Sequence, residues 1–227
     1  VDHAIVRRVE ADRYDMHEVV RHFALERLET ADLVTARSRH STYFMQLVAR
    51  QEEALITDME TAVTTIRRDW QHIDVAWNHA VENATVELFD AAVTALCTYW
   101  IYMGHFSTTL AKLEAARNCL ANIPDPHPRL TAARAKVMGA LIWIAFTSGE
   151  IKKAIDLAQR VLHEAQQDAD EPFPIIAATC TLGSAQMLRG HLANAERLAT
   201  QGYELATEHR MTIWQVVAIF LMIMLLS

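Results

Sequence analysis

Glycine and proline are scarce in this chain, at six and five of 227 residues, and their scarcity excludes a turn-rich all-β fold. Cysteine is scarcer still. Cys97, Cys119 and Cys180 are odd in number, far apart and set in apolar runs, so each reads as a small buried hydrophobe rather than a metal ligand or half of a disulfide. A reducing, cytoplasmic setting is expected. Clustered basic residues are also lacking: Arg7-Arg8 and Arg67-Arg68 are the notable pairs, each with acidic neighbours, and the formal net charge is −7. Direct nucleic-acid binding is not expected, because phosphate affinity depends on clustered Lys and Arg. The opening residues do not form a secretory leader, which makes the Asn83-Ala84-Thr85 sequon accidental. The most apolar stretch, Ile213–Leu226, carries Gln215 and falls short of the roughly 20 residues that span a bilayer, so it reads as a buried helix.

What is present is hydrophobic content of 52%, enough for a sizeable core, arranged with helical periodicity. Two proline-rich breaks, 123–128 and 168–174, separate helical units, because proline removes a backbone donor and biases its predecessor away from the α region. Between them the spacing predicts a helix from about Leu130 to Thr147, a turn at Ser148-Gly149-Glu150, and a second helix from about Ile151 to Gln166. In that second helix Ile151, Ala154, Ile155, Ala158, Val161 and Leu162 form one apolar face. The design recurs as Ile175–Leu188, Arg189-Gly190-His191 and Leu192–Ala206. Earlier it is present as Thr94–Met103, Gly104 and His105–Leu120.

Gly104, Gly149 and Gly190 lie 45 and 41 residues apart, a period that suits a helix hairpin plus linker. Five residues after each glycine come Thr109, Ala154 and Ala195, where a small side chain permits close approach of the two helices. The lines Leu141-Ile142…Gly149…Ala154 and Leu182-Gly183…Gly190…Ala195 resemble the tetratricopeptide repeat. Cys97, Ile142 and Thr109 depart from that pattern. The resemblance implies an all-α, tetratricopeptide-like α-α superhelix with repeats at about 90–122, 130–167 and 175–208, and a truncated fourth at 211–227.

Residues 1–30 do not follow the repeat. Ala4–Glu10 and Arg13–Met16 read as a short β-hairpin turning at Ala11-Asp12, followed by a helix over His17–Glu29. The segment Arg13-Tyr14-Asp15-Met16-His17-Glu18-Val19-Val20-Arg21-His22-Phe23-Ala24 resembles the end of the winged-helix module in bacterial STAND-type (NB-ARC-like) signalling ATPases and related transcriptional regulators. Arg39–Phe44, Asp69–Ala80 and Tyr99–Phe106 resemble, in order, the arm that follows it. The resemblance implies a winged-helix remnant at 1–30, linking helices at 31–89 and a repeat arm at 90–227. That arm would bind a protein, peptide or small-molecule effector and contact other domains of the parent chain. No Gly-x-x-x-x-Gly-Lys-Ser/Thr loop occurs, so ATP chemistry by that route is not expected of this segment.

Three groups of residues invite a chemical reading. His17 and His22 flank a zinc-protease-like line, but five residues of helix place them about 140° apart rather than on one face. His72 and His79 share a face with Asp69 or Asp74 nearby and could in principle hold a metal or relay a proton. Trp70 and Trp77 have the same spacing, and packing explains both pairs more simply. Neither an enzyme, a metal site nor a cofactor is expected. The remaining surface is the concave side of the superhelix, which repeat arrays use for binding. Counting from the turn glycines puts Thr94, Thr98, Tyr102, Lys136, Trp143, Ser184 and Met187 on it, a mixed aromatic, hydroxyl and thioether surface suited to peptides or small ligands. A homo-oligomeric scaffold is the rival expectation, prompted by the apolar final helix.

Overall fold

The computed structural model describes residues 6–10, 13–124, 127–165 and 172–226. It is all-α apart from one short hairpin. The chain divides into two compact units, residues 1–40 and 41–227, and the division falls inside a helix.

In the first unit β1 (Val6–Glu10) pairs antiparallel with β2 (Arg13–Met16), Val6 opposite Met16 and Arg8 opposite Tyr14. The expected turn at Ala11-Asp12, and Ala4-Ile5 of the expected first strand, lie outside the described residues. Helix α1 (Glu18–Arg27) follows, with His17 as its N-cap: Nδ1 accepts from the Val19 N–H at 3.3 Å. None of the side chains of α1 is buried, and Val19 and Phe23 are 68% and 53% exposed. The Arg27 guanidinium lies 4.0 Å from the centroid of the Phe23 ring.

Helix α2 (Thr30–Ala49) carries the chain into the second unit, where α3 (Ala54–Thr57), α4 (Met59–Arg68) and α5 (Trp70–Glu82) follow. Ser41 donates to the Ala76 carbonyl at 2.8 Å, and Phe44 stacks on His72 at 4.8 Å, joining α2 to α5. Then come the hairpins: α6 (Val86–Met103) with α7 (Phe106–Ala121), α8 (Pro128–Thr147) with α9 (Ile151–Ala165), α10 (Pro172–Leu188) with α11 (Leu192–Glu208), and a final α12 (Thr212–Leu226). The first helices α6, α8, α10 and α12 pack side by side in one layer. The second helices form the other layer, each against its own partner and against the first helix of the next pair. Gly104, Gly149 and Gly190 all have φ between 70° and 85°, so a side chain at these turns would be strained although space for it exists.

Three helices, α6, α8 and α10, begin earlier than the spacing predicts. Helix α6 starts at Val86, not near Thr94, so the expected boundary at residue 90 lies within it; Val86, Leu88 and Phe89 are buried and already belong to its apolar face. Helix α10 starts at Pro172 rather than Ile175 and takes Pro172 and Pro174 into its first turn. A first turn has no intrahelical acceptor for its N–H groups, so proline forfeits nothing there. Pro128 opens α8 in the same way, after His127, whose Nδ1 accepts from the Leu130 N–H at 3.3 Å. The remainder of each proline-rich break (Asp125-Pro126, and residues 166–171) lies outside the described residues.

Arg134 on α8 reaches back to the end of α7. Its guanidinium donates to the carbonyls of Leu120 (3.1 and 2.8 Å), Ala121 (3.4 Å) and Ile123 (3.0 Å), at and just past the end of α7, where carbonyls lack the full set of intrahelical donors. Arg134→Ala is expected to lower stability in urea unfolding by about 1–2 kcal/mol. Arg134→Lys should recover only part, because one ammonium cannot match a planar fork. A loss below about 0.5 kcal/mol, the size of an ordinary surface substitution, would mean that solvent caps α7 equally well.

Helix α8 is the one described helix long and apolar enough to cross a bilayer by length and composition. Its Leu130, Val137, Leu141, Ile142 and Ile144 are fully buried in the helix stack. Cys97 and Cys180 are buried as the sequence implies, whereas Cys119 is only half-buried, because its position on α7 lies at the edge of the inward face formed by Leu113, Ala116 and Leu120. Burial pushes the Cys97 and Cys180 thiols up to about 12, and Cys119 is raised by burial as well. Because the thiolate is the nucleophile, Cys119 should be the first to react with a disulfide reagent at pH 8, with Cys97 and Cys180 reacting only on unfolding. Peptide mapping of the labelled protein checks this, and early labelling of Cys97 would contradict the packing of α6.

Candidate functional site

The layer of first helices carries every residue that the spacing assigns to a binding face, and the structure shows how each is engaged. On α6, Thr98 donates its hydroxyl to the Thr94 carbonyl at 3.2 Å, and both side chains are half-buried. Tyr102, one turn further, is 57% exposed and presents its ring to solvent. On α8, Lys136 is held against α6: its ammonium donates to the Asp90 carboxylate at 2.8 Å and to the Asp90 carbonyl at 3.0 Å. Trp143, two turns along the same helix, is half-buried, stacks on Phe146 at 6.0 Å and meets Trp214 of α12 edge-on at 4.7 Å. On α10, Ser184 donates to the Cys180 carbonyl at 2.9 Å, and Met187 is half-buried near the turn.

The polar groups of this stripe are therefore largely satisfied within the protein. Thr98 and Ser184 donate backward along their own helices, which leaves their hydroxyls only as acceptors for a ligand. Lys136 and Asp90 clamp α6 to α8, and their partial burial strengthens a pair that would contribute little in open solvent. What the stripe still offers outward is mainly the Tyr102 ring, with Trp143 and Met187 half-buried beside their own helix ends. Asp90 was not marked by the sequence, although it lies one helical turn before Thr94 on the same face. Trp214 was placed in the final helix without a hint that it reaches Trp143.

A second recess lies between the other layer's helices. Arg117 of α7 and Gly149–Lys153, Asp156, Leu157 and Arg160 at the start of α9 line an open groove of ≈ 600 Å³. Glu114 stands between two cations there, 2.6 Å from Arg117 and 3.0 Å from Lys153, and Lys153 also meets Glu150 at 3.5 Å. The chain of alternating charges ties α7 to α9 and neutralises most of the groove's basic character. Sequence reasoning missed it because the charges come from two helices separated by a linker.

Of the histidine candidates, His17 caps a helix and His72 packs on an aromatic ring. His17 caps α1, and His22 lies 4.0 Å from Glu18 on an exposed turn. His72 stacks on Phe44. Asp74 is engaged by Lys112 at 2.7 Å and by Asn78 at 3.4 Å, and the Asp69 carboxylate lies 3.6 Å from Arg68. The Nδ1 of His79 is buried and has no hydrogen-bond partner among the described residues. No group of three or more His, Cys, Asp or Glu side chains converges on a common point among the described residues. Trp70 stacks on Tyr99 at 5.3 Å, and Trp77 meets Phe89 and Trp100 edge-on at 5.2 and 5.3 Å.

The fold defines a class: an all-α array of stacked helical hairpins, preceded by a β-hairpin and a helix. The chain matches none of the protein-family models, curated proteins or solved structures with which it was compared.

Proposed function

We propose that the chain is a binding arm: a tetratricopeptide-like array, joined to the tail of a winged helix, that senses a protein, peptide or small-molecule effector for a larger STAND-type signalling ATPase or transcriptional regulator in the cytoplasm. The observation that carries this reading is the first unit. A strand pair feeds a helix whose Val19 and Phe23 are exposed, and α2 carries the chain on to α3–α5 and then the hairpins. A wing and its closing helix would look like this outside their domain. The exposed Tyr102 ring, with half-buried Trp143 and Met187 at the corresponding helix ends, suits an apolar or aromatic side chain of a peptide better than a phosphate. In this reading the arm itself performs no catalysis and needs no cofactor.

The coding sequence on either side of the segment tests the proposal. A Gly-x-x-x-x-Gly-Lys-Ser/Thr loop within roughly 300 residues upstream, the span of two ordinary domains, is the expected finding. A start codon at Val1 with a stop after Ser227 would sink it in favour of the second reading, a free-standing assembly adaptor without nucleotide switching. That second reading draws on the bare face of α12.

A further inference from the structure

Lysine is rare in this chain: of 21 basic residues only Lys112, Lys136, Lys152 and Lys153 are lysines. Three of the four lie across a joint between helices that are next but one in the chain. Lys112 on α7 reaches back to Asp74 on α5 at 2.7 Å, Lys136 on α8 to Asp90 on α6 at 2.8 Å, and Lys153 on α9 to Glu114 on α7 at 3.0 Å. In each pair the acid belongs to the earlier helix and the lysine to the later one. None of the six side chains is more than 35% exposed, so each pair is only partly open to water and counts for more than a loose surface contact. On Lys153 burial works against the charge, and Glu114 together with Glu150 more than offsets it, so the ammonium titrates above its ordinary value.

The rear of the array is joined differently. Helices α10 and α12 carry no charged side chain, so no joint with either of them can hold an ion pair. Their contacts are apolar, as where Phe173 packs on Trp214. The two kinds of joint answer differently to the medium, because salt screens a charge pair and does not weaken apolar burial. We infer that the array is a two-part conformational device: a front, α5 to α9, whose joints loosen as ionic strength rises, and a rear, α10 to α12, whose joints do not. A stack in which each pair touches mainly its neighbours lets one section loosen while the other holds. Lys112, Lys136 and Lys153 fasten the front. The α6–α8 joint underlies the face that carries Thr94, Tyr102 and Trp143, and small rotations between repeats set the curvature of such a face. Ionic strength thereby acts on the shape of the front face.

Amide hydrogen exchange, read by mass spectrometry on the full chain at about neutral pH, tests this. Sodium chloride is raised from about 0.02 M to about 0.5 M, which shortens the screening length from roughly 20 Å to about 4 Å. The expected result is exchange roughly two- to fivefold faster at high salt in α6 to α8, the range for partly exposed ion pairs, with α10 and α11 unchanged. Lys136→Met keeps the apolar stem and removes the charge. It should bring α6 and α8 to their high-salt rate already at low salt and remove their salt response, while α9 keeps its own. Lys152→Met, at the exposed lysine outside these pairs, should match the unaltered chain. A salt response absent from α6 to α8, equal in α10 and α11, or retained by Lys136→Met would overturn the inference. So would a Lys136→Met variant that speeds exchange evenly along the whole array, since the lysine would then stabilise the fold without governing a joint.

Discussion

Trp77→Ala is expected to cost the second unit about 3–5 kcal/mol, the range for emptying the space of a buried large aromatic. Trp77 is 2% exposed and sits between Phe89 and Trp100 of α6, both edge-on, so its removal opens the joint between α5 and α6 and leaves two partner rings without a face. Trp77→Phe should cost much less than half of that. Its ring keeps most of the contacts, and it also removes the Trp77 Nε1–H, a buried donor with no acceptor among the described residues. Urea unfolding followed by circular dichroism measures both. If Trp77→Phe proved as damaging as Trp77→Ala, the indole N–H would have to be making an interaction that this packing does not contain.

Gly139→Val is expected to cost about 3 kcal/mol, at the upper end of the overpacking range. A Cβ at Gly139 would meet the Phe173 ring at 2.9 and 3.0 Å and the Pro174 Cα at 3.1 Å. The ring is wedged, because Phe173 is 2% exposed and packs on Trp214 at 5.7 Å, and the Pro174 contact is backbone. Neither neighbour can give without moving α10 away from α8. Gly183 makes the comparison, since a Cβ there would meet the far end of Leu221 at 2.9 Å and the Leu198 Cβ at 3.3 Å. A leucine terminus can rotate aside, and alanine favours helix over glycine by about 1 kcal/mol, so Gly183→Ala should lie near neutral while Gly139→Ala remains destabilising. The reverse order would mean that the α8–α10 contact is softer than the packing of α11 and α12 on α10.

The hairpin array is legible in the sequence because its signals are local. The turn glycines, the small residues Ala154 and Ala195 and the apolar faces of α9 and α11 lie within a helix or across one turn, and each is found where the spacing puts it. The early starts of α6 and α10 are less legible, since proline reads as a break from either side although it is harmless in a first turn. The face chosen for binding was legible as a set of positions and not as a set of free groups. Whether Lys136 is available depends on Asp90, forty-six residues away. Whether Trp143 is open depends on Trp214, two hairpins later in the chain. Contacts of that kind leave no periodic trace. The groove between α7 and α9 was missed for the same reason.

In a stack of hairpins each pair touches mainly its neighbours, and such a structure unravels from its ends like a one-dimensional chain of weakly linked blocks. The contact between Trp143 and Trp214 changes that for the last block. It joins the first turn of α12 to α8, past the intervening α10, whose Phe173 also packs on Trp214, so one indole ties three successive first helices together. Amide hydrogen exchange should therefore be slow around Trp214, and Trp214→Ala should speed it both there and around Trp143.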